Sequence, residues 1–228
     1  MRFHVWVLVL LPGVLVACDR GPEAAATIKK YRPSVEARFA TIKQIGERLK
    51  GMPVLSRDGV ALDSGPFKLG TASGNPESSA TAVMHEAPRV DLTVQSDYSV
   101  DTESLWWCAR LLGEKYYAER SSKDTAEAHL GLCANAKYLL VVRVLQSTYP
   151  KVDEGKGTFQ SGSAAGEVRV FNLGSAKDLG GFRFKARNSD LVMSREGKGR
   201  DYSAVSSDLN SQVRAQVRAG ITKHLGGS

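Results

Sequence analysis

The run Tyr138-Leu-Leu-Val-Val-Arg-Val-Leu145 is almost continuously apolar, and it limits the folds open to this chain more than any other stretch. Such a run reads as a central strand. Glu167-Val-Arg-Val-Phe-Asn-Leu173 reads as a second strand, and Gly181-Phe-Arg-Phe-Lys-Ala-Arg187, which alternates strictly, as a third. Gly- and Ser-rich loops join them, which is the pattern of an antiparallel meander. The chain then closes on a helix. Val205, Leu209, Val213, Val217, Ile221 and Leu225 recur every four residues, and Gly226-Gly227 follows. Four residues turn a helix by about 400°, so this stripe drifts by about 200° from end to end. The helix must either cross the sheet obliquely or bring one end to another element. The expected class is α+β: a largely antiparallel sheet with several helices on one side, the long C-terminal helix among them.

Upstream, Val35, Phe39, Ile42, Ile45 and Leu49 keep helical spacing behind Pro33, which suits a first turn, and Gly51 ends the pattern. Between Met52 and Ser99 short apolar stretches (Val60–Leu62, Phe67–Leu69, Thr81–Met84, Val90–Val94) alternate with turn residues and read as short strands. A sub-boundary near residue 100 fits this change of character. Thr102 to Tyr117 is helical in pattern, with Leu105, Cys108 and Leu112 on one face. Asp124 or Thr125 can cap a further helix, on which Ala126, Leu130 and Cys133 share a face. Trp106 and Trp107 stand about 100° apart on a helix, so both cannot face inward. A partly buried packing role is expected for them, with sugar stacking as the alternative.

The first seventeen residues have another character. Arg2 precedes an apolar stretch from Val5 to Val16 that is interrupted by Pro12-Gly13, shorter than the roughly 20 residues a bilayer span needs. The segment has the layout of a secretory signal peptide. Its end, Leu15-Val16-Ala17-Cys18, resembles the lipobox of bacterial lipoproteins. That resemblance implies diacylation of the Cys18 thiol and cleavage before it, so that lipid holds the protein to a membrane. Asp19 resembles the retention signal of enterobacterial inner-membrane lipoproteins, with the outer membrane as the alternative. The expected organisation is a signal peptide at 1–17, a lipidated tether at 18–32 and one α+β domain at 33–228. Removing Arg2 leaves 30 of the 31 Lys and Arg residues against 24 acids, a balance of about +6 that favours anionic surfaces. Two cysteines remain, Cys108 and Cys133. In an oxidising compartment such a pair is expected to form a disulfide, and no CxxC suggests a metal site.

Signatures of chemistry are missing. No G-x-S-x-G or S-x-x-K occurs, His85, His129 and His224 are isolated without H-E-x-x-H, and Gly155-Lys156-Gly157-Thr158 falls short of a phosphate loop. No catalytic residue, metal or cofactor is expected, and nucleic acid is not an expected partner. The feature that stands out is charge on one sheet face. Phe182, Phe184 and Ala186 take one side of the third strand, and Arg183, Lys185 and Arg187 take the other. Arg169 alternates against Val168 and Val170, and Arg143 interrupts the first strand. In a meander these five cations can share the outer face, as a contact for anionic headgroups, envelope glycans or an acidic protein, or simply as a solvated surface. The function expected is therefore a membrane-anchored, periplasm-facing envelope lipoprotein that binds a protein or polymer without catalysis. The alternative is a cell-envelope hydrolase or transferase whose site is dispersed in the sequence.

Overall fold

The computed structural model describes residues 21–63, 67, 80–86, 103–153, 158–190 and 202–226. In chain order its elements are α1 (Gly21–Leu49), β1 (Gly59–Val60), β2 (Ala80–Glu86), α2 (Glu103–Gly113), α3 (Lys115–Arg120), α4 (Lys123–Asn135), β3 (Tyr138–Thr148), β4 (Lys151–Asp153), β5 (Thr158–Gln160), β6 (Ser163–Asn172), β7 (Asp178–Arg187) and α5 (Tyr202–Leu225). The class is α+β. Five strands form one sheet in the order β1-β7-β6-β3-β2, antiparallel except for the β2–β3 pair, and β4 and β5 form a separate hairpin. The three strands expected from the sequence pair as a meander, with Val142 opposite Val168 and Val168 opposite Phe182.

Helices cover both faces of this sheet, not one as the sequence pattern suggested. Leu140, Val142, Val168, Val170, Phe182 and Phe184 pack with Val213, Val217, Ile221 and Leu225 of α5. Their neighbours Leu139, Val141 and Phe171 point to the opposite side, where they join Ile42, Ile45 and Leu49 of α1, Leu105 of α2 and Leu130 of α4. A strand whose apolar residues do not alternate has two faces to bury, and β3 buries both. The drift of the α5 stripe is also resolved. Val205 and Leu209 are buried outside the sheet cluster. There the Asn188 amide donates to the Val205 carbonyl at 2.7 Å and to Asp208 at 2.9 Å.

α1 departs most from expectation. It starts at Gly21, so residues 21–32 are helical where a flexible tether was expected, and Pro33 lies inside the helix, not at its first turn. Alanine is the strongest helix former, and Ala24 and Ile28 are buried on the same stripe as Val35, Ile42, Ile45 and Leu49. Packing of that stripe offsets the ~3 kcal/mol or more that an internal proline costs. The helix expected over Thr102 to Tyr117 is divided into α2 and α3 at Glu114, directly after Gly113. The cap of α4 is Ser122, whose hydroxyl accepts from the Thr125 N–H at 3.1 Å, in place of the two residues expected. Phe67 lies outside any strand but is buried against Tyr138, and Val90–Val94 lies outside the described residues.

Candidate functional site

The five cations do share one face of the sheet, yet only three of them are exposed. Arg169 is buried and the Arg143 side chain is only 12% exposed, which corrects the expectation of a five-membered outer surface. The Arg143 guanidinium donates to Glu167 Oε1 at 2.7 Å, and Arg169 Nε donates to the same oxygen at 2.9 Å. Arg169 also donates to Asp178 Oδ2 at 2.7 Å. The Glu167 side chain is 0% exposed and that of Arg169 is 5% exposed. Two guanidiniums face two carboxylates, so the group is neutral as a whole.

The cause lies in what covers this half of the face. Beyond Val141 and Phe171 the helical layer gives way to the segment Met52–Leu55, which is neither helix nor strand and whose backbone groups need partners. Arg143 donates to the Met52 carbonyl at 3.4 Å and 3.3 Å, Arg169 donates to the Pro53 carbonyl, and Glu167 Oε2 accepts from the Leu55 N–H at 2.7 Å. Arginine supplies donors and glutamate an acceptor for a segment that has no ladder of its own. This cluster is structural.

Arg183, Lys185 and Arg187 remain exposed along β7, on the side away from Phe182, Phe184 and Ala186. Arg183 donates to Asp58 Oδ1 through Nε at 2.9 Å and through its backbone N–H at 3.1 Å. Partial burial pushes the Asp58 carboxyl upward. The bonds from Arg183 outweigh that push and hold it below the ordinary carboxylate range. Among the described residues no ion pair joins Lys185 or Arg187. Among the described residues the row therefore presents two charges without an ion pair beside one paired one.

A second cluster sits on the helical layer. Cys108 of α2 and Cys133 of α4 are joined by a disulfide, with Cα atoms 6.7 Å apart. Next to it, Trp106 and Trp107 are both half-buried and pack edge-on to each other and to Tyr117. The Trp107 ring stacks on His129 at 5.2 Å. The Arg110 guanidinium lies 4.3 Å from the Trp106 ring centroid and 4.7 Å from that of Tyr117, and Arg120 lies 4.5 Å from that of Tyr116. Tyr116 is 56% exposed. The sequence reading assigned the tryptophans to packing and did not connect them to the tyrosines. The signal was present in the pairing of Trp106-Trp107 with Tyr116-Tyr117 and three cations (Arg110, Lys115, Arg120) within fifteen residues.

Cys18 and Asp19 lie outside the described residues. Among the described residues no helix is long and apolar enough to cross a membrane, and no three His, Cys, Asp or Glu side chains are grouped to hold a metal ion. No protein-family model matches the chain, and no curated protein is similar to it. Among solved structures, a hypothetical protein from Chlamydia trachomatis is similar with a TM-score of 0.32 and 11% identity, over 71% of this chain and 98% of that one. A likeness that weak adds nothing to the reading of the site.

Proposed function

We propose that this protein is a bacterial envelope lipoprotein, anchored through lipid on Cys18, that binds an acidic envelope protein or polymer without catalysis. The lipobox resemblance supports the anchor, and Asp19 favours a periplasm-facing place on the inner membrane. The observation that carries the binding reading is the exposed row Arg183, Lys185 and Arg187 on one face of β7. A row of fixed cations on a rigid strand presents charge at the spacing of alternate residues and attracts over roughly one Debye length, about 8 Å at physiological salt. Arg143 and Arg169 take no part, because their charge is spent on Glu167 and Asp178.

The test is crosslinking in the intact envelope with the triple variant Arg183→Gln, Lys185→Gln, Arg187→Gln beside the parent. A reproducible acidic partner is expected with the parent, its yield falling as salt rises and falling further in the variant. If the folded variant captures the same partner equally well at low salt, the row is merely solvated and the binding reading is wrong.

A further inference from the structure

The helical start of α1 changes what the proposed anchor can do. Only Asp19 and Arg20 separate Cys18 from Gly21, the first residue of α1. Fully extended, that connection reaches about 10 Å, little more than the headgroup layer of one leaflet, roughly 5–8 Å thick. Nor can the first turns of α1 swing away as a stalk. Ala24 is 0% exposed, Thr27 5% and Ile28 6%, so one face of the helix is already packed on the body there.

The surface beside those turns can be identified. Tyr31 donates to Glu127 and Arg38 donates to the Ala134 carbonyl, both at a separation of 96 residues, so α1 and α4 run side by side in the same direction. At that offset Lys123, the first residue of α4, falls opposite Thr27. Arg32 donates to the Leu112 carbonyl at the end of α2, at 3.2 Å. α3 bridges Leu112 and Lys123 and contacts α1, so it lies beside the N-terminal part of that helix. α3 carries Tyr116 and Tyr117, and Trp106, in the first turn of α2, packs edge-on to Tyr117, with Arg110 and Arg120 over their rings. Tryptophan and tyrosine, with an apolar body and a polar edge, favour the membrane–water interface, and arginine extends its head to the phosphate level.

We infer that the α2–α3 surface around Trp106, Tyr116 and Arg120 seats in the headgroup zone of the membrane that holds the lipid on Cys18. This rests on the reading of Cys18 as the lipidated residue. Acids and bases are nearly balanced along residues 103–127, so the contact is one of aromatic side chains and is insensitive to salt.

The mature chain suits a direct test. Of three tryptophans, only Trp106 and Trp107 follow residue 17, and of three cysteines, only Cys18 lies outside the disulfide. The unacylated chain from Cys18 onward is coupled through that thiol to a maleimide lipid. The vesicles are phosphatidylcholine and phosphatidylglycerol with brominated acyl chains. Tryptophan emission is expected to be quenched several-fold more than in uncoupled chain mixed with the same vesicles, and to stay quenched in high salt. Tyr116→Ser with Arg120→Ser, both at exposed positions, is expected to reduce the quenching. Emission that escapes the brominated lipid and stays open to aqueous iodide would overturn the surface while leaving the lipid reading intact. A native chain whose intact mass lacks acyl groups would overturn the lipid reading, and with it the membrane as occupant.

Discussion

Gly220 of α5 lies so close to the ring of Phe182 in β7 that a methyl group on its Cα would stand 2.1 Å from the Phe182 Cε2 atom. Phe182 is 1% exposed, and the His224 ring stacks on it with centroids 5.3 Å apart, so the ring has little room to retreat. Gly220→Ala gains about 1 kcal/mol of helix propensity and meets an overpacking cost of about 1–3 kcal/mol. With so deep an overlap the cost belongs at the top of that range, and urea unfolding should show a net loss of roughly 1–2 kcal/mol. A stabilised variant would mean that α5 slides over β7 freely.

Glu167 should be among the most sensitive positions in the sheet. Its carboxylate is fully buried between Arg143, Arg169 and the Leu55 N–H. Glu167→Ala leaves the buried Arg169 and the partly buried Arg143 short of charge, a loss of about 3–5 kcal/mol. Unfolding curves showing less than about 1 kcal/mol would mean that water reaches the network and that Met52–Leu55 does not seal it.

Asp208 ties the end of β7 to the start of α5. It accepts from Asn188, from the Ser189 backbone N–H at 2.8 Å and from the Ser189 hydroxyl at 2.8 Å. Burial raises its carboxyl, and these bonds together with Gln212 outweigh burial and hold it below the ordinary range. A carboxyl lowered in the folded state stabilises above its unfolded pKa of about 3.9, and the gain is lost as pH falls through the folded value. The stability difference between the parent and Asp208→Asn should therefore be constant above about pH 5 and shrink below about pH 4. A difference that instead varies near neutral pH would show that another group is responsible.

Reduction of the Cys108–Cys133 bond opens a loop with a sequence separation of 25 residues. In the chain-entropy model this loop is worth about 3.5 kcal/mol. Unfolding with and without reductant checks it, and an unchanged midpoint would mean that the packing of α2 on α4 holds the helical layer without the bond.

The residues differ in how plainly they announced these roles. β3 was legible because its apolar run is short and nearly continuous, β7 because its apolar residues alternate, and α5 because six apolar residues repeat every four. The face of each cation was legible too, since alternation alone sends Arg143, Arg169, Arg183, Lys185 and Arg187 to one side. Which of them are buried was not. That depends on Met52–Leu55 bonding to Arg143, Glu167 and Arg169, more than 80 residues away in sequence, and no local pattern encodes such a contact. The first turns of α1 were hidden for another reason. Ala24-Ala25-Ala26 is as common in a polar linker as in a helix, and only the burial of Ala24 and Ile28 on the stripe of Val35 separates the two. The α2–α3 aromatics were visible as residues. Their clustering depended on the break at Glu114, which folds Tyr117 back onto Trp106.

The mass of the native protein taken from the membrane fraction tests the anchor most directly, because both the proposed binding at β7 and the seating of α2–α3 presuppose it. The expected result is a chain that begins at Cys18 and carries added acyl mass, with Cys18→Ser leaving the protein unprocessed or released from the membrane. A mature chain that begins at Cys18 with no lipid mass, or a Cys18→Ser protein that stays processed and membrane-bound, would contradict it.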